Sequence, residues 1–375
     1  MRYEFRLAEL LGHTPDRRKR PGTIKAIVEY TGLDRHQVAS LLKNEAKYIP
    51  LEALSRLCDY LVEHGYASAD ELPGVLFSVK PEHFWELLAR RRRLEICLGV
   101  RRSEGEGNVQ NAMVVASDAV LMGEVLNGVT TLGGTDKLAQ TQSQSREMPT
   151  HPELLRQTLV WSPGINDSSV AIERSNAVYE SFTSSAGDKA LVCLGSVKSN
   201  PVVDKIFCDT FLAKPFESQD NVAKATDRRC PFFLRYRDSD PHIPCSSAGL
   251  QLSQSEKAEE PGIYYEQADG TWTYAGGQDS ALVFYIYRES LGRLEMVLSG
   301  FSGRATRLLA RTLASRSEEF WPPVFQQNYL QIGAFIVKYD ALTEASLPDD
   351  ILRTDEIGNP TIIPLPTEAI ARRMT

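Results

Sequence analysis

Through the first sixty-five positions apolar residues recur every three to four places, and beyond residue 93 they gather into short continuous runs. The first spacing predicts helices. One covers Tyr3–Leu11, with Phe5, Leu7, Leu10 and Leu11 on its apolar face. A second covers Thr23–Tyr30 (Ile24, Ile27, Val28), a third Asp34–Lys43 (Val38, Leu41, Leu42), and a fourth Leu51–His64 (Leu54, Leu57, Cys58, Leu61). The punctuation agrees. Pro15, Pro21 and Gly22 interrupt the chain between the first two helices, Thr23 and Asp34 are N-cap residues, and Pro50 sits at a helix start, where its missing N–H costs nothing. Gly32 supplies the turn between the second and third helices, since only glycine enters the left-handed region without strain.

Residues 67–93 read as a linker. Turn residues at Tyr66–Gly74 lead to a short extended segment, Val75–Val79, and a helix, Pro81–Ala89, with Phe84, Trp85, Leu87 and Leu88. Arg90, Arg91, Arg92 and Arg93 follow, placed either to meet DNA phosphates or to pair with an acidic body. From Leu94 the runs Leu94–Val100, Ala112–Ala116, Ala190–Leu194, Phe232–Tyr236, Ala281–Tyr287, Leu294–Leu298 and Gln331–Tyr339 read as strands. Three of them pass through small residues into helices, at Ala119–Leu126, Pro201–Leu212 and Arg307–Leu313. Continuous apolar strands alternating with helices predict an α/β domain with a mixed, largely parallel sheet covered on both faces. Gly262–Ala275 reads as a β-hairpin turning at Asp269-Gly270. Thr135–Thr150 and Ser246–Pro261 read as polar loops, and the proline-rich tail from Leu347 as a surface strap. The expected organisation is therefore an all-α domain over residues 1–66, a linker over 67–93 and an α/β domain over 94–375.

Charge sharpens this division. Net charge is −7 over 375 residues, yet residues 1–93 carry 16 Lys+Arg against 13 Asp+Glu, while residues 94–375 carry 26 against 36. A basic head on an acidic body fits a nucleic-acid module attached to a separate domain, and excludes a protein that coats nucleic acid over its whole surface. No apolar run approaches the ~20 residues of a membrane span, and the N-terminus lacks a secretory pattern, so a cytoplasmic protein without a membrane partner is expected. Cys58, Cys97, Cys193, Cys208, Cys230 and Cys245 are scattered among apolar neighbours, as free thiols in a reducing compartment would be. Neither they nor the six histidines show ligand spacing, and no metal or cofactor is expected.

The stretch TIKAIVEYTGLDRHQVASLLKNEAKYIPLEALSRLCDYL, with its turn Thr31-Gly32-Leu33, Val38 in the third helix and Ile49-Pro50-Leu51 opening the fourth, resembles the Cro/repressor-type (XRE-like) helix-turn-helix family. Val28 departs from the pattern, standing where the family usually carries alanine at the helix crossing. The resemblance implies that the third helix enters the major groove of double-stranded DNA. Arg35, His36, Gln37 and Ser40 would then face base edges, Arg35 suited to guanine and Gln37 to adenine. Thr23, Lys25, Lys43 and Lys47 would meet phosphates, and Arg17, Arg18, Lys19 and Arg20 would track the backbone, enter a minor groove or form a solvated loop. A homodimer reading paired half-sites is expected; the other reading is a protein-interaction module.

In the body, the strand-to-helix loops carry the candidate chemistry. A helix start presents unpaired N–H groups and about half a positive charge, which attracts anions. Gly195, Ser196, Lys198, Ser199 and Asn200 form one such loop, and Gly300, Ser302, Gly303, Arg304 and Thr306 another. Both would face a common crevice if they lie at the carboxyl edge of one sheet. Neither matches a dinucleotide or phosphate-loop motif, so plain structural turns are the competing reading. Ser117 and Asp118, at a third strand end, are either ligand-binding groups, a nucleophile and base, or helix caps. No G-x-S-x-G or H-E-x-x-H pattern is present, and no catalytic residue is assigned. The expectation is a transcription regulator whose α/β domain senses a small anionic or nucleotide-like ligand. Two alternatives are an enzyme acting on nucleotides or nucleosides with a DNA-binding head, and an assembly protein whose body only oligomerises.

Overall fold

A computed structural model describes residues 2–11, 23–43, 45–69, 72, 76–102, 112–133, 154–163, 168–184, 188–217, 229–237, 250–251, 260–277, 279–327, 330–339 and 360–374. The chain divides into two compact units. The first is Met1–Glu82 with the short stretches Ala186–Asp188 and Arg288–Arg293; the second holds His83–Ser185, Lys189–Tyr287 and Leu294–Thr375.

In the first unit the expected opening helix is instead a strand and a single turn. β1 (Arg2–Phe5) pairs antiparallel with β2 (Phe77–Lys80), in register from Arg2↔Lys80 to Phe5↔Phe77, and α1 is only Leu7–Leu10. The partner strand lies some seventy residues away, so no local pattern announces it; the rings of Phe5 and Phe77 meet edge to face at 5.3 Å. The next three helices stand where the spacing put them: α2 (Thr23–Thr31), α3 (Arg35–Leu42) and α4 (Leu51–Glu63). Their buried core contains Leu7, Ile27, Leu33, Val38, Leu41, Leu57 and Leu61. The inward face of α4 is Ala53, Leu57, Tyr60 and Leu61, whereas Leu54 and Cys58 are only partly buried. Tyr60 displaces the expected stripe because its ring joins Tyr30 at 5.5 Å and His64 at 4.1 Å.

The second unit begins with Phe84, Trp85, Leu87, Leu88 and Ala89, all in its core; helix α5 covers only Glu86–Ala89, shorter than expected. Three arginines of the run that follows are paired inside this unit. Arg90, 3% exposed, meets Glu86 at 2.9 Å; Arg91 donates to the Tyr287 hydroxyl at 2.9 Å; Arg93 donates to Glu95 at 2.6 Å.

A nine-stranded mixed sheet forms the centre. Its strands are β3 (Arg93–Arg102), β4 (Ala112–Val114), β5 (Leu154–Trp161), β6 (Lys189–Leu194), β11 (Ser280–Arg288), β12 (Arg293–Gly300), β13 (Phe325–Gln327), β14 (Leu330–Lys338) and β15 (Thr361–Pro364). β5 and β6 flank β3 and run parallel to it, β4 runs antiparallel to the end of β3, and β13 and β15 run antiparallel to β14. The strand period of two sends alternate side chains to opposite faces. Ala281, Val283, Tyr285 and Tyr287 pack beneath α6 (Ala116–Thr131) and α9 (Gly303–Arg316). Leu282, Phe284 and Ile286 pack with α7 (Ser168–Ser184) and α8 (Val202–Phe211). A second, four-stranded sheet in the order β10-β9-β7-β8 lies on this latter side, with Phe232, Leu234 and Ile263 in the same core. It comprises β7 (Phe232–Arg235), β8 (Leu250–Gln251) and the hairpin β9 (Gly262–Glu266) and β10 (Trp272–Gly276).

Several elements depart from the sequence reading. β5 and α7 had no signal, because β5 mixes Arg156, Gln157 and Thr158 with its leucines, and α7 buries Ser175 in place of an apolar residue. The tail was expected to drape over the surface. Residues 360–374 instead add β15 to the sheet and bury Ala369 and Ile370 of α10 (Thr367–Arg373). The loops at Thr135–Thr150, most of Ser246–Pro261, and residues 347–359 lie outside the described residues. No helix among the described residues is long and apolar enough to cross a membrane.

Candidate functional site

In the first unit the site is a helix made rigid from behind. Thr31 Oγ1 donates to the Ile27 carbonyl at 2.6 Å and accepts from Leu33 N at 3.3 Å, closing α2. Gly32 follows at φ +73°, where a side chain would be strained, and Leu33 fills the corner. Asp34 then starts α3 with a reciprocal cap. Its carboxylate accepts from His36 N at 2.7 Å and Gln37 N at 2.8 Å, while the Gln37 carboxamide oxygen accepts from Asp34 N at 3.1 Å. Such a cap contributes about 1 kcal/mol and fixes where the helix begins.

Val38 and Leu41 anchor the inner face, and the outer face is left to polar side chains. Arg35, His36 and Lys43 are exposed, Ser40 is half-buried, and positions 36, 40 and 43 line one stripe at helical spacing. Gln37 is half-buried and engaged in the cap, which sets it apart from its exposed neighbours. Lys25 faces Glu29 at 3.6 Å, Lys43 lies 4.0 Å from Glu45, and Lys47 is exposed. Tyr48 and Leu51, which follow Lys47 in the chain, are exposed as well. Arg17, Arg18, Lys19 and Arg20 and the side chain of Thr23 lie outside the described residues.

In the second unit the loops of Ser117, Gly195 and Gly303 meet at one edge of the sheet. Gly195, at φ +93°, ends β6, and its N–H donates to the Leu298 carbonyl of β12 at 3.0 Å, setting the two strand ends side by side. A Cβ on Gly195 would stand 3.7 Å from Asp118 Oδ2, and one on Gly303 would stand 3.5 Å from Ser117 Oγ. The starts of α6 and α9 and the loop after β6 therefore pack together at the carboxyl edge of the sheet, the edge at which ligands bind in open α/β sheets.

Much of the polar inventory of this edge holds the loops in shape. Asn200 is fully buried; its amide donates to the carbonyls of Cys97 at 3.0 Å and Leu194 at 3.1 Å, and its oxygen accepts from Val202 N at 3.2 Å. The Ser196 carbonyl accepts from Ser199 N and Asn200 N. Ser302 caps α9 by accepting from Ala305 N at 3.1 Å, and Thr306 donates back to the Ser302 carbonyl at 3.0 Å. Gly300 is required because a Cβ there would collide with the backbone N of Thr306. Lys198 lies over the Tyr236 ring at 5.4 Å, and Arg304 lies 3.5 Å from Asp279. Ser162, absent from the sequence reading because β5 had no signal, secures the loop by donating to the Ser199 carbonyl at 2.6 Å.

Ser117 and Asp118 are different. Both are buried in the first turn of α6, and neither caps it, since the N-cap is Val115. Burial pushes the Asp118 carboxyl up to about 6, against the opposing pull of Ser117 and Arg101. Cys97, Cys193, Cys208 and Cys230 are buried free thiols and Cys58 is half-buried, whereas Cys245 lies outside the described residues.

Residues 17–62 match the family model of the Cro/C1-type HTH DNA-binding domain. The match spans α2–α4 of the first unit, which is therefore similar to DNA-binding helix-turn-helix domains of that type. The match stops short of the second unit. No curated protein matches the chain, and no solved structure does.

Proposed function

We propose that the protein is a sequence-specific transcription regulator that binds double-stranded DNA through α3 as a homodimer, and whose second unit senses a small anionic or nucleotide-like ligand. The observation carrying the DNA half is the exposed Arg35, His36 and Lys43, with half-buried Ser40 between them, on the outer face of a capped helix inside a matched Cro/C1-type domain. In this reading Arg35 and His36 meet base edges, and Lys25, Lys43 and Lys47 meet phosphates. One helix-turn-helix contacts a single half-site, so pairing of two copies supplies the affinity that one lacks. The ligand half is supported by the convergence of three loops at the carboxyl edge of the sheet, with the N–H groups of α9 beside Ser117.

A ligand shifts DNA affinity only by as much as it distinguishes the binding and non-binding states. The expected coupling is about 1–3 kcal/mol, or roughly 5–150-fold. The test selects a binding site from random duplexes with the full chain, then measures affinity for it with and without a metabolite extract. An unchanged affinity across all fractions removes the sensing half and leaves the DNA half.

One observation favours a second reading, an enzyme acting on nucleotides or nucleosides with a DNA-binding head. Asp118, raised to about 6 and beside the Ser117 hydroxyl at 3.4 Å, is suited to general-base work near neutral pH. Turnover of a nucleotide by the purified chain, abolished by Asp118→Asn, would establish it.

A further inference from the structure

Of the nine exposed large apolar side chains described in the second unit, seven lie between residues 113 and 170, so its apolar surface is gathered and not scattered. At the middle of this surface is β5, which among the described residues pairs with β3 alone. Leu154 N donates to the Arg92 carbonyl at 3.0 Å and Ser162 N to the Val100 carbonyl at 2.9 Å, so the even-numbered residues of β5 turn their backbone groups towards β3. The odd-numbered Leu155, Gln157 and Leu159 turn theirs to the open edge. Arg174 Nε donates to the Leu159 carbonyl at 3.3 Å, which leaves that oxygen a second lone pair. Proteins blunt such an edge with proline, charge or a bulge. β5 has no proline, one charge at Arg156 and an unbroken register over eight residues.

The side chains continue the surface. Leu155, Gln157 and Leu159 stand beside Leu94, Ile96 and Leu98 of β3, on the face that α6 packs against. α6 reaches only the rim of β5: Gln157 Nε2 meets Met122 Sδ at 3.5 Å, while Leu155 stays 54% and Leu159 40% exposed. The outward stripe of α6, Ala119, Val120, Gly123 and Asn127, is exposed and uncharged, and a Cβ on Gly123 would meet nothing within 4 Å.

We infer that a second copy of this chain covers the face, the two β5 strands pairing antiparallel across a twofold axis at Gln157. This rests on the homodimer of the function proposed above and names its interface. The register favours a copy: it sets Leu155 against Leu159 of the partner copy twice, brings edge-facing backbone groups together, and opposes Arg156 to Thr158 and not to itself. Charge favours it too. The face is nearly uncharged on a domain with 36 Asp+Glu against 26 Lys+Arg, which suits neither a nucleic acid nor a charged peptide. The adjoining segment of this chain is a poor cover, since residues 134–153 hold only Leu138, Ala139 and Met148 as apolar side chains besides proline. β5 and α6 each run about 25 Å, which allows roughly 600 Å² per copy, the size of the smaller specific interfaces.

Sedimentation of the full chain tests this. The parent should be a dimer at micromolar concentration, and Leu155→Lys, which buries a charge twice per dimer, should weaken it about tenfold or more with melting unchanged. Gln157→Cys should give a disulfide-linked dimer under mild oxidation, and Leu212→Cys, 72% exposed at the end of α8, should not. That comparison stands even if Leu155→Lys fails to fold. A dimer unweakened by Leu155→Lys, or one without the Gln157→Cys cross-link, overturns this interface and leaves the homodimer standing. A monomeric parent overturns both. Slow amide exchange at Leu155 and Gln157 in that monomer would make residues 134–153 the occupant, and fast exchange would leave the edge to another protein's strand.

Discussion

Arg35 and His36 stand exposed on an eight-residue helix started by its own capping box, whereas Ser117 and Asp118 lie buried where three loops from distant parts of the chain meet. The head's surface is built locally: Asp34, Gln37, Val38 and Leu41 lie within eight positions and determine between them where the helix begins and which side faces out. The junction of these loops is built at long range. Ser117, Gly195 and Gly303 come together only through the order of β3, β6 and β12 in the sheet. A local surface tolerates exchange of its outward side chains, while a long-range junction depends on buried polar groups whose loss disturbs the scaffold.

Removing the head's core should have the largest effect. Leu57 is fully buried among α2, α3 and α4, and Leu57→Ala should cost about 2–5 kcal/mol through lost burial and the cavity left behind. Chemical denaturation followed by a reporter in each unit should show the head's transition shift while the body's stays. A shift of both together would mean that the two units unfold as one.

The body answers with pH. Asp204 on α8 is fully buried, and burial pushes its carboxyl up to about 7, although Phe216 N donates to it at 2.8 Å and Lys205 lies near. The folded state thus holds a proton that the unfolded chain, with an ordinary carboxyl near 3.8, has lost. Stability from this group is present below about pH 4, falls as pH rises towards 7 and is flat above it. Asp204→Asn should therefore raise stability at pH 8, by at most about 4 kcal/mol, and change little at pH 4. Equal melting shifts at both pH values would contradict the buried-carboxyl account. Asp118 has the same sign, with its loss spread between about pH 4 and 6.

How far each region could be read from the chain follows the same division. Helices α2–α4, the glycine turn at Gly32 and the exposed Arg35, His36 and Lys43 were legible, because a 3.6-residue period and a cap are both properties of adjacent residues. Six of the nine strands of the central sheet, β3, β4, β6, β11, β12 and β14, were legible as apolar runs, and the hairpin at Asp269-Gly270 from its turn. Illegible were features whose cause is a distant partner. β1 needs Phe77–Lys80, β5 needs β3, and the tail becomes a strand only because Phe335–Lys338 waits for it. At both candidate sites the residue types were legible, but the hydrogen bonds that engage them were not. Asn200 reads as a ligand group and is a clamp on two carbonyls, and the Gln37 side chain that reads as a base contact sits in a cap.

The smallest effect concerns that cap. Asp34→Ala removes the acceptor for His36 N and Gln37 N and should cost about 1 kcal/mol, read as a modest fall in melting temperature. It also frees Gln37, so DNA preference, measured alongside, should change more than stability does. Preference unaltered by release of Gln37 would place that residue outside the contact surface.

The most direct measurement is the affinity of the full chain for its selected DNA site before and after Arg35→Ala. The account predicts a loss of about 1–3 kcal/mol, with preference relaxed at one base pair and folding unaffected, since Arg35 is exposed at the start of α3. Unchanged affinity together with unchanged preference would contradict the placement of α3 in the major groove.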